Sequence, residues 1–302
     1  MLKKQKTDKR KAAWEKELHY IYKQEEKLRK AAGRNAAPGW KEGLEKKIPP
    51  KIYGSLEKAF CKAFSIIFEK GNAVIEKSYN KDAILKDYAV QNYAVQIKGT
   101  GKELKQLRKA AKSPDMRNMA ITTVEGIGLG ALGIGLPDIV VFTGFLLKGI
   151  YETALHYGYD YEKPEEKLLI LKMMETALSK GEDWNQKNEE VDRFLREGLK
   201  DRKAEVLNEE AVDEKDTESE DLETAISDQT KRTAQTFALD MLLLKFVQGL
   251  PVVGVLGGAG NPVYYRKVLQ YVQIKYQKRY LMSELKNNKM PVDKGTAVKS
   301  II

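Results

Sequence analysis

Residues 119–161 read MAITTVEGIGLGALGIGLPDIVVFTGFLLKGIYETALHYGYDY and form the longest apolar run of an otherwise heavily charged chain. Seven glycines lie in this run between Gly126 and Gly149. Because glycine costs a helix up to ~1 kcal/mol per position relative to alanine, so many indicate backbones that pass closely or a loop that touches another surface. A shorter run at 237–260, FALDMLLLKFVQGLPVVGVLGGAG, repeats the Gly-Leu-Pro sequence of the first.

Small residues four positions apart recur in both runs, and this spacing lets helices approach one another closely. The pairs are Gly126/Gly130, Ala131/Gly135 and Gly254/Gly258. Elsewhere apolar residues follow helical spacing, and no segment alternates as a strand would. The sequence therefore predicts an all-α, multi-helix domain built around two glycine-rich apolar helical hairpin segments.

Breaker residues and charge divide the rest of the chain. We predict a basic helical extension with a Pro/Gly linker over 1–49, a helical domain over 50–286 and a disordered tail over 287–302. An acidic linker is expected at about 204–220. Further helices are expected at 10–32, 51–79, 82–111, 164–178, 185–203, 221–248 and 263–285.

The net charge of +10 is unevenly distributed along the chain. Residues 1–60 hold 17 Lys/Arg and 8 Asp/Glu, whereas 201–228 hold 12 acids and 3 bases. Basic ends indicate contact with an anionic surface. The single cysteine, Cys61, excludes an internal disulfide and fits a reducing compartment. The N-terminal lysines are not followed by the apolar core of a secretory signal, so we expect the cytoplasm.

The first apolar run is long enough to raise the question of a membrane span. Residues 127–147 carry Asp138 as their only charge and as a helix would be ~30 Å long. Asp138 in mid-span would cost ~2.5–3.5 kcal/mol, and Pro137 interrupts the helix. Short hairpins that are buried or shallowly inserted fit better than a span, and a packed helical core is the plain alternative.

The segment GLGALG at residues 128–133 matches the letters of a dinucleotide-binding fingerprint. That motif needs a preceding strand and an acid ~20 residues later, whereas a helix-like segment precedes it here. No cofactor is therefore expected. No Cys/His spacing suits a metal, and no nucleophile elbow is present.

Two carboxylates, Glu125 and Asp240, lie among apolar neighbours. If they converge with Asn261 between the two Gly-Leu-Pro segments, they form a polar pocket. Arg232 and Thr236 share a helical face with Asp240, and pairing with them is the simpler explanation.

The C-terminal helix combines cations with tyrosines, a composition that suits an anionic membrane interface. The candidate cations for contact with an anionic surface are Arg266, Lys267, Lys275, Lys278 and Arg279. The same composition could contact nucleic acid, but no recognition motif supports that partner.

The sequence resembles the EcsC family at both glycine-rich segments. The resemblance rests on GALGIGLPDIVVFTGFLLKGIYETALHYGYDY at 130–161 and FVQGLPVVGVLGGAGNPVYYRKVLQYVQIKYQKRYL at 246–281. The family is named for a protein encoded alongside an ABC transporter, so the resemblance implies a role near the membrane and supplies no catalytic residues. We expect a non-enzymatic cytoplasmic protein on the inner membrane face, bound to anionic lipid or to a membrane protein complex. The alternative is a lipid or peptide hydrolase that uses the carboxylate pocket.

If Gly258 lets two helices pack closely, Gly258→Leu must force them apart. Overpacking costs ~1–3 kcal/mol, so we expect a lower melting temperature in thermal denaturation, and the same test applies to Gly130→Leu. Unchanged melting together with tighter vesicle binding would instead identify the glycine-rich segments as insertion loops.

Overall fold

The computed structural model describes residues 2–34, 48–71, 75–112, 137–205, 215–248 and 260–287. Within these residues the chain forms nine α-helices and no strand, which confirms the all-α prediction. The helices are α1 (Leu2–Arg34), α2 (Pro50–Ile66), α3 (Lys81–Ile97), α4 (Gly101–Ala110), α5 (Pro137–His156), α6 (Pro164–Leu178), α7 (Gly181–Glu205), α8 (Lys215–Gln248) and α9 (Gly260–Asn287). A π-helical turn, Ile67–Gly71, extends α2.

Local sequence signals start several of these helices. Proline occupies the first turn of α2 and of α6, where its missing N–H costs no helical hydrogen bond. The Asn80 side chain caps α3 by accepting from the N–H of Ala83 at 2.9 Å. Thr100 and Glu103 form a capping box at the start of α4. These ends are therefore set by residues that can be read from the sequence.

The predicted single helix over 82–111 is two helices, α3 and α4. The break falls at Gly99, whose φ of 56° lies in the left-handed region that favours glycine. A side chain there would also collide with Arg10, since a Cβ on Gly99 would lie 2.4 Å from Arg10 Nε. Glycine at this position thus ends α3 and lets the chain turn tightly against α1.

Three helices, α5, α6 and α9, make the centre of the molecule. Residues 168–171 and 173–178 of α6 are buried, as are most residues of α5. Helix α9 contacts α1, α5 and α6, while α8 and α7 cover α6 and α2 covers α8. Aromatic rings join these layers, because Phe237 of α8 contacts Phe60 at 5.2 Å and Phe142 at 6.2 Å between ring centroids.

Helix α1 belongs to this core rather than to a separate extension. Trp14, Leu18 and Ile21 lie on one face of α1 and are fully buried in the common hydrophobic core. The predicted boundary at residue 50 is therefore corrected, since α1 packs against α4, α7 and α9. Its apolar stripe, although narrow, is wide enough to bury one face of a long charged helix.

The predicted acidic linker at about 204–220 is helical at both ends. Helix α7 continues to Glu205 and α8 begins at Lys215, six residues before the predicted start of this helix at 221. Residues 206–214 lie outside the described part, as do 288–302 of the predicted tail. Helix propensity of Glu and Lys outweighs the lack of large apolar residues at these ends.

A buried ion pair ties α6 to α9. Glu166 receives two hydrogen bonds from Nη1 of Arg279, at 3.0 and 2.7 Å to its two carboxylate oxygens. The hydroxyl of Tyr276 donates to the same carboxylate at 2.7 Å. Burial acts to lower the pKa of Arg279, but the attraction of Glu166 is stronger, so the pKa of Arg279 is raised overall. The guanidinium therefore stays charged inside the protein.

Removal of one partner from this pair should be costly. Glu166→Gln leaves the buried Arg279 without a counter-charge, and a broken buried pair costs ~3–5 kcal/mol. We expect this loss in the free energy of unfolding measured by urea titration. The matched control is Glu165→Gln at the exposed neighbouring residue, for which a change within about 1 kcal/mol is expected. Equal losses in the two variants would contradict the assignment.

Candidate functional site

Asp240, near the end of α8, is the one member of the predicted carboxylate pocket whose side chain is described. Its Oδ1 lies 2.7 Å from Nζ of Lys180, in the turn between α6 and α7. Its Oδ2 lies 3.9 Å from Nζ of Lys267 in α9. Neither Arg232 nor Thr236, the partners suggested by the sequence, makes these contacts. Asp240 thus joins three parts of the chain through two lysines.

The surroundings of Asp240 perturb the groups beside it. Burial lowers the pKa of Lys267; Asp240 opposes this effect, and Lys180 adds to it. The Tyr264 hydroxyl donates to the backbone carbonyl of Asp240 at 3.0 Å, and burial raises the pKa of that tyrosine. A carboxylate held between two ammonium groups is a stable ion-pair centre. It is poorly placed to act as a general base, because both of its oxygens are engaged by lysine ammonium groups.

The two glycine-rich runs join the described bundle close to Asp240. Tyr264 lies in the second turn of α9, and its ring meets that of Phe142, in the second turn of α5, at 6.4 Å between centroids. The starts of α5 and α9 and the end region of α8 therefore come together here. Residues 113–136 and 249–259 connect to these ends and lie outside the described part.

Most other members of the predicted sites belong to those undescribed residues. Asn261 lies in the first turn of α9, but its side chain is outside the described part, so the convergence with Asp240 stays a prediction. The remaining members that lie outside the described residues are Glu125, Gly126, Gly130, Gly135, Gly254 and Gly258. The close packing predicted for these glycines likewise stays a prediction.

Three of the five cations predicted to contact an anionic surface are internal, which corrects that interpretation. Lys275 is 0% exposed and lies 2.7 Å from both Glu25 of α1 and Asp192 of α7. Lys278 pairs with the same two carboxylates at 3.2 and 3.0 Å. Arg279 is paired with Glu166 as described above. Lys267 is engaged at Asp240, so only Arg266 of the five is exposed and has no ion pair among the described residues.

An exposed basic surface lies on α4. After Gly101, every exposed residue of this helix is lysine or glutamine, and its one acid, Glu103, is buried in the capping box. Four exposed lysines occur here at spacings of three and four residues. They are Lys102, Lys105 and Lys109 on one face of α4 and Lys112 two residues beyond its end, and they are named the α4 lysine stripe. None of them forms an ion pair with a described residue.

The preceding helix, α3, exposes apolar side chains on its outward face. Val90, Tyr93 and Ile97 are 66%, 66% and 64% exposed, and their spacing puts them on one side of α3. These three residues are named the α3 apolar stripe. The opposite side of α3 faces the bundle, where Asn92 accepts a hydrogen bond from the Tyr280 hydroxyl at 2.7 Å and Val95 is buried.

A polar cluster near the start of α3 is satisfied internally. The Tyr79 hydroxyl donates to that of Tyr161 at 2.7 Å, and Tyr161 donates to Glu76. The side chain of Lys81 lies 3.5 Å from Glu76 and covers the Tyr161 ring. An open cleft of about 500 Å³ lies beside these groups. Each polar group has a protein partner, so the cluster fixes the loop before α3.

Helix α5 is long and apolar enough to cross a membrane by length and composition, and it alone meets that test among the described residues. However, 83% of its apolar stretch, Ile139–His156, is buried inside the protein. The helix is thus a core element in this fold. No group of three or more His, Cys, Asp or Glu side chains in the described ranges could hold a metal ion.

Comparison with known protein families shows to which family the chain belongs. The profile of the EcsC protein family matches residues 13–281, nearly the whole sequence. The chain belongs to the EcsC family. The EcsC match starts within α1, one residue before the buried Trp14, and ends at Leu281 in α9. No curated protein and no solved structure matches this EcsC protein.

Removal of the Asp240 carboxylate should give a pH-dependent loss of stability. Asp240→Asn removes the carboxylate that both Lys180 and Lys267 contact, so we expect a loss of roughly 1–2 kcal/mol at about pH 7 after allowance for their partial exposure. The pKa of Lys267 falls further without Asp240. Between this folded pKa and the ordinary lysine value the unfolded chain binds more protons, so stability rises with pH.

The measurement is the melting temperature of Asp240→Asn and of the wild type at several values from about pH 7 to about pH 9.5. The difference in melting temperature between the wild type and the variant should narrow as the pH rises, because Lys267 loses its proton in the folded variant. A difference that stays constant over this range would show that the lost ion pair is not what destabilises the variant.

Proposed function

We propose that this EcsC protein is a non-enzymatic, cytoplasmic protein that binds peripherally to the anionic inner face of a membrane. The α4 lysine stripe is the observation that carries the proposal. Three exposed ammonium groups on one face of α4 and a fourth just beyond its end, with no acid among the exposed residues of that helix, make a local positive field. Such clusters attract anionic lipid headgroups by about 1 kcal/mol per lysine near the surface.

The distribution of charge between the inside and the outside supports the same partner. The internal pairs of α9 cancel one another, since each buried cation there has a carboxylate partner. Because these pairs are neutral, the net charge of +10 is carried by other residues of the chain. A net positive surface is attracted to anionic lipid and repelled by cations.

No contact in the described residues favours the alternative of a hydrolase. The one described carboxylate of the predicted pocket, Asp240, is held by two lysines. A general base must be able to reach the proton that it removes, whereas the Asp240 oxygens face the two lysines. The lysines at Asp240 serve as its counter-charges, and the arrangement is explained by stability. A membrane protein complex with an acidic surface would use the same lysines, and it remains within the proposal as a partner on that membrane.

The proposal predicts salt-sensitive binding to vesicles that contain anionic lipid. The purified chain should float with vesicles of phosphatidylglycerol and phosphatidylcholine, and should leave them as salt is raised, because screening weakens attraction between exposed charges. Neutral vesicles are the comparison. Equal binding to neutral and anionic vesicles, or binding to neither, would count against the proposed function.

A variant with glutamine at all four positions of the α4 lysine stripe tests the surface itself. At about 1 kcal/mol per lysine, the partition coefficient on anionic vesicles should fall on the order of a hundredfold or more at low salt. The matched control removes four exposed lysines from helices on other parts of the surface. These are Lys51, Lys58, Lys62 and Lys231. If the control lost as much binding as the stripe variant, net charge alone would explain the attraction.

A further inference from the structure

The α3 apolar stripe is exposed although it has the spacing of a core-facing stripe. Its three side chains are each about two-thirds exposed, while the described face of α3 toward the bundle uses Asn92, Val95 and Tyr88. Single exposed apolar residues are ordinary, but a row of large ones on one helical face marks a surface that contacts something. The α3 apolar stripe therefore has the character of a binding surface.

The charges around the α3 apolar stripe indicate which kind of partner fits it. Lys86 lies one turn before Val90 on the same face and is exposed, and Lys98 directly follows Ile97. The α4 lysine stripe begins after the three-residue turn 98–100. Asp82 and Asp87 are the acids of α3 and are outnumbered by these lysines, so a second copy seated symmetrically on this surface would bring an excess of lysines toward lysines. An anionic lipid surface offers both apolar chains and negative headgroups, so it complements the two stripes together.

We propose that α3 is an interfacial helix that inserts Val90, Tyr93 and Ile97 into the boundary between headgroups and acyl chains of an anionic membrane. The proposal rests on the membrane function proposed above and names its apolar contact. Tyrosine suits this depth because its ring is apolar and its hydroxyl stays in the polar layer. Lys86, Lys98 and the α4 lysine stripe reach the headgroups with their ammonium groups.

Insertion makes a prediction that surface attraction alone does not make. Attraction between exposed charges falls as salt rises, whereas burial of apolar side chains does not depend on screening. Binding by both stripes should therefore decline with salt to a residual level set by the α3 apolar stripe. A surface that binds by lysines alone would be released completely.

The first experiment reports the environment of position 93 directly. In a Cys61→Ser background, Tyr93→Cys is labelled with the fluorophore NBD, and Arg193→Cys, at an exposed site on α7, is the control. With anionic vesicles the emission at position 93 should shift to the blue and strengthen, while position 193 stays unchanged. Unchanged emission at position 93 in a sample that floats would overturn the insertion. Emission that is already blue without vesicles would show that the stripe is covered by this chain or by a second copy, which also overturns it.

The second experiment removes the apolar groups. Serine at all three positions of the α3 apolar stripe should lower the partition coefficient on anionic vesicles roughly tenfold or more and abolish the salt-resistant part. The control places serine at Tyr22 and Val263, two exposed large apolar residues that lie outside α3. Circular dichroism checks that both variants are folded, as expected for exposed sites.

The outcomes separate the two proposals. If the wild-type chain fails to bind anionic vesicles, the proposed function itself is wrong. If the wild type binds and the serine variant of the α3 apolar stripe binds equally well, only the insertion is wrong. Equal losses in the stripe variant and in its control would show that position on the surface is irrelevant, and this also contradicts the insertion.

Discussion

Three cations inside α9 impose the constraint on which the rest of the structure depends. A buried ammonium or guanidinium group is tolerated only when a carboxylate meets it, since desolvation of an unpaired charge costs several kcal/mol. Lys275 and Lys278 need Glu25 and Asp192, and Arg279 needs Glu166. These carboxylates lie on α1, α7 and α6, so α9 can be buried only when all three helices are in place. The polar residues of α9 thereby specify the arrangement of its neighbours.

This constraint also explains why the family match begins in α1. Gln277 of α9 donates to Glu17 of α1 at 2.6 Å, and the same carboxylate pairs with Arg108 of α4 at 2.9 Å. A domain that began at residue 50 would lose Glu17 and Glu25 and leave Lys275 without one of its two carboxylates. The match from residue 13 onward therefore follows the physical unit that the ion pairs define.

Local sequence patterns predicted the helices, but they did not predict which faces of α9 and α3 are buried and which are exposed. Proline marked the starts of α2 and α6, and apolar spacing marked the buried face of α1. The tyrosine and lysine residues of α9 suit a membrane interface and a tyrosine-lined core equally well. The carboxylate that decides between them, Glu25, lies 250 residues from Lys275 along the chain. The spacing of the α3 apolar stripe and of the α4 lysine stripe is visible in the sequence, but the spacing of the α3 apolar stripe is also that of a buried face. This stripe is exposed because the opposite side of α3 faces the bundle, where the Tyr280 hydroxyl donates to Asn92.

Because its cations fall into two populations, the protein can respond to salt in two separate ways. Charges inside α9 are shielded from solvent and joined at 2.7–3.2 Å, so dissolved ions screen them little. The lysines of α4 are exposed and free of ion pairs within the described chain, so the same ions screen them strongly. Salt that weakens attraction to an anionic surface should therefore leave the ion pairs of the fold intact. Under the proposed function, this separation would let a protein with a net charge of +10 release from an anionic surface without unfolding, since the charges that attract and the charges that stabilise are different residues.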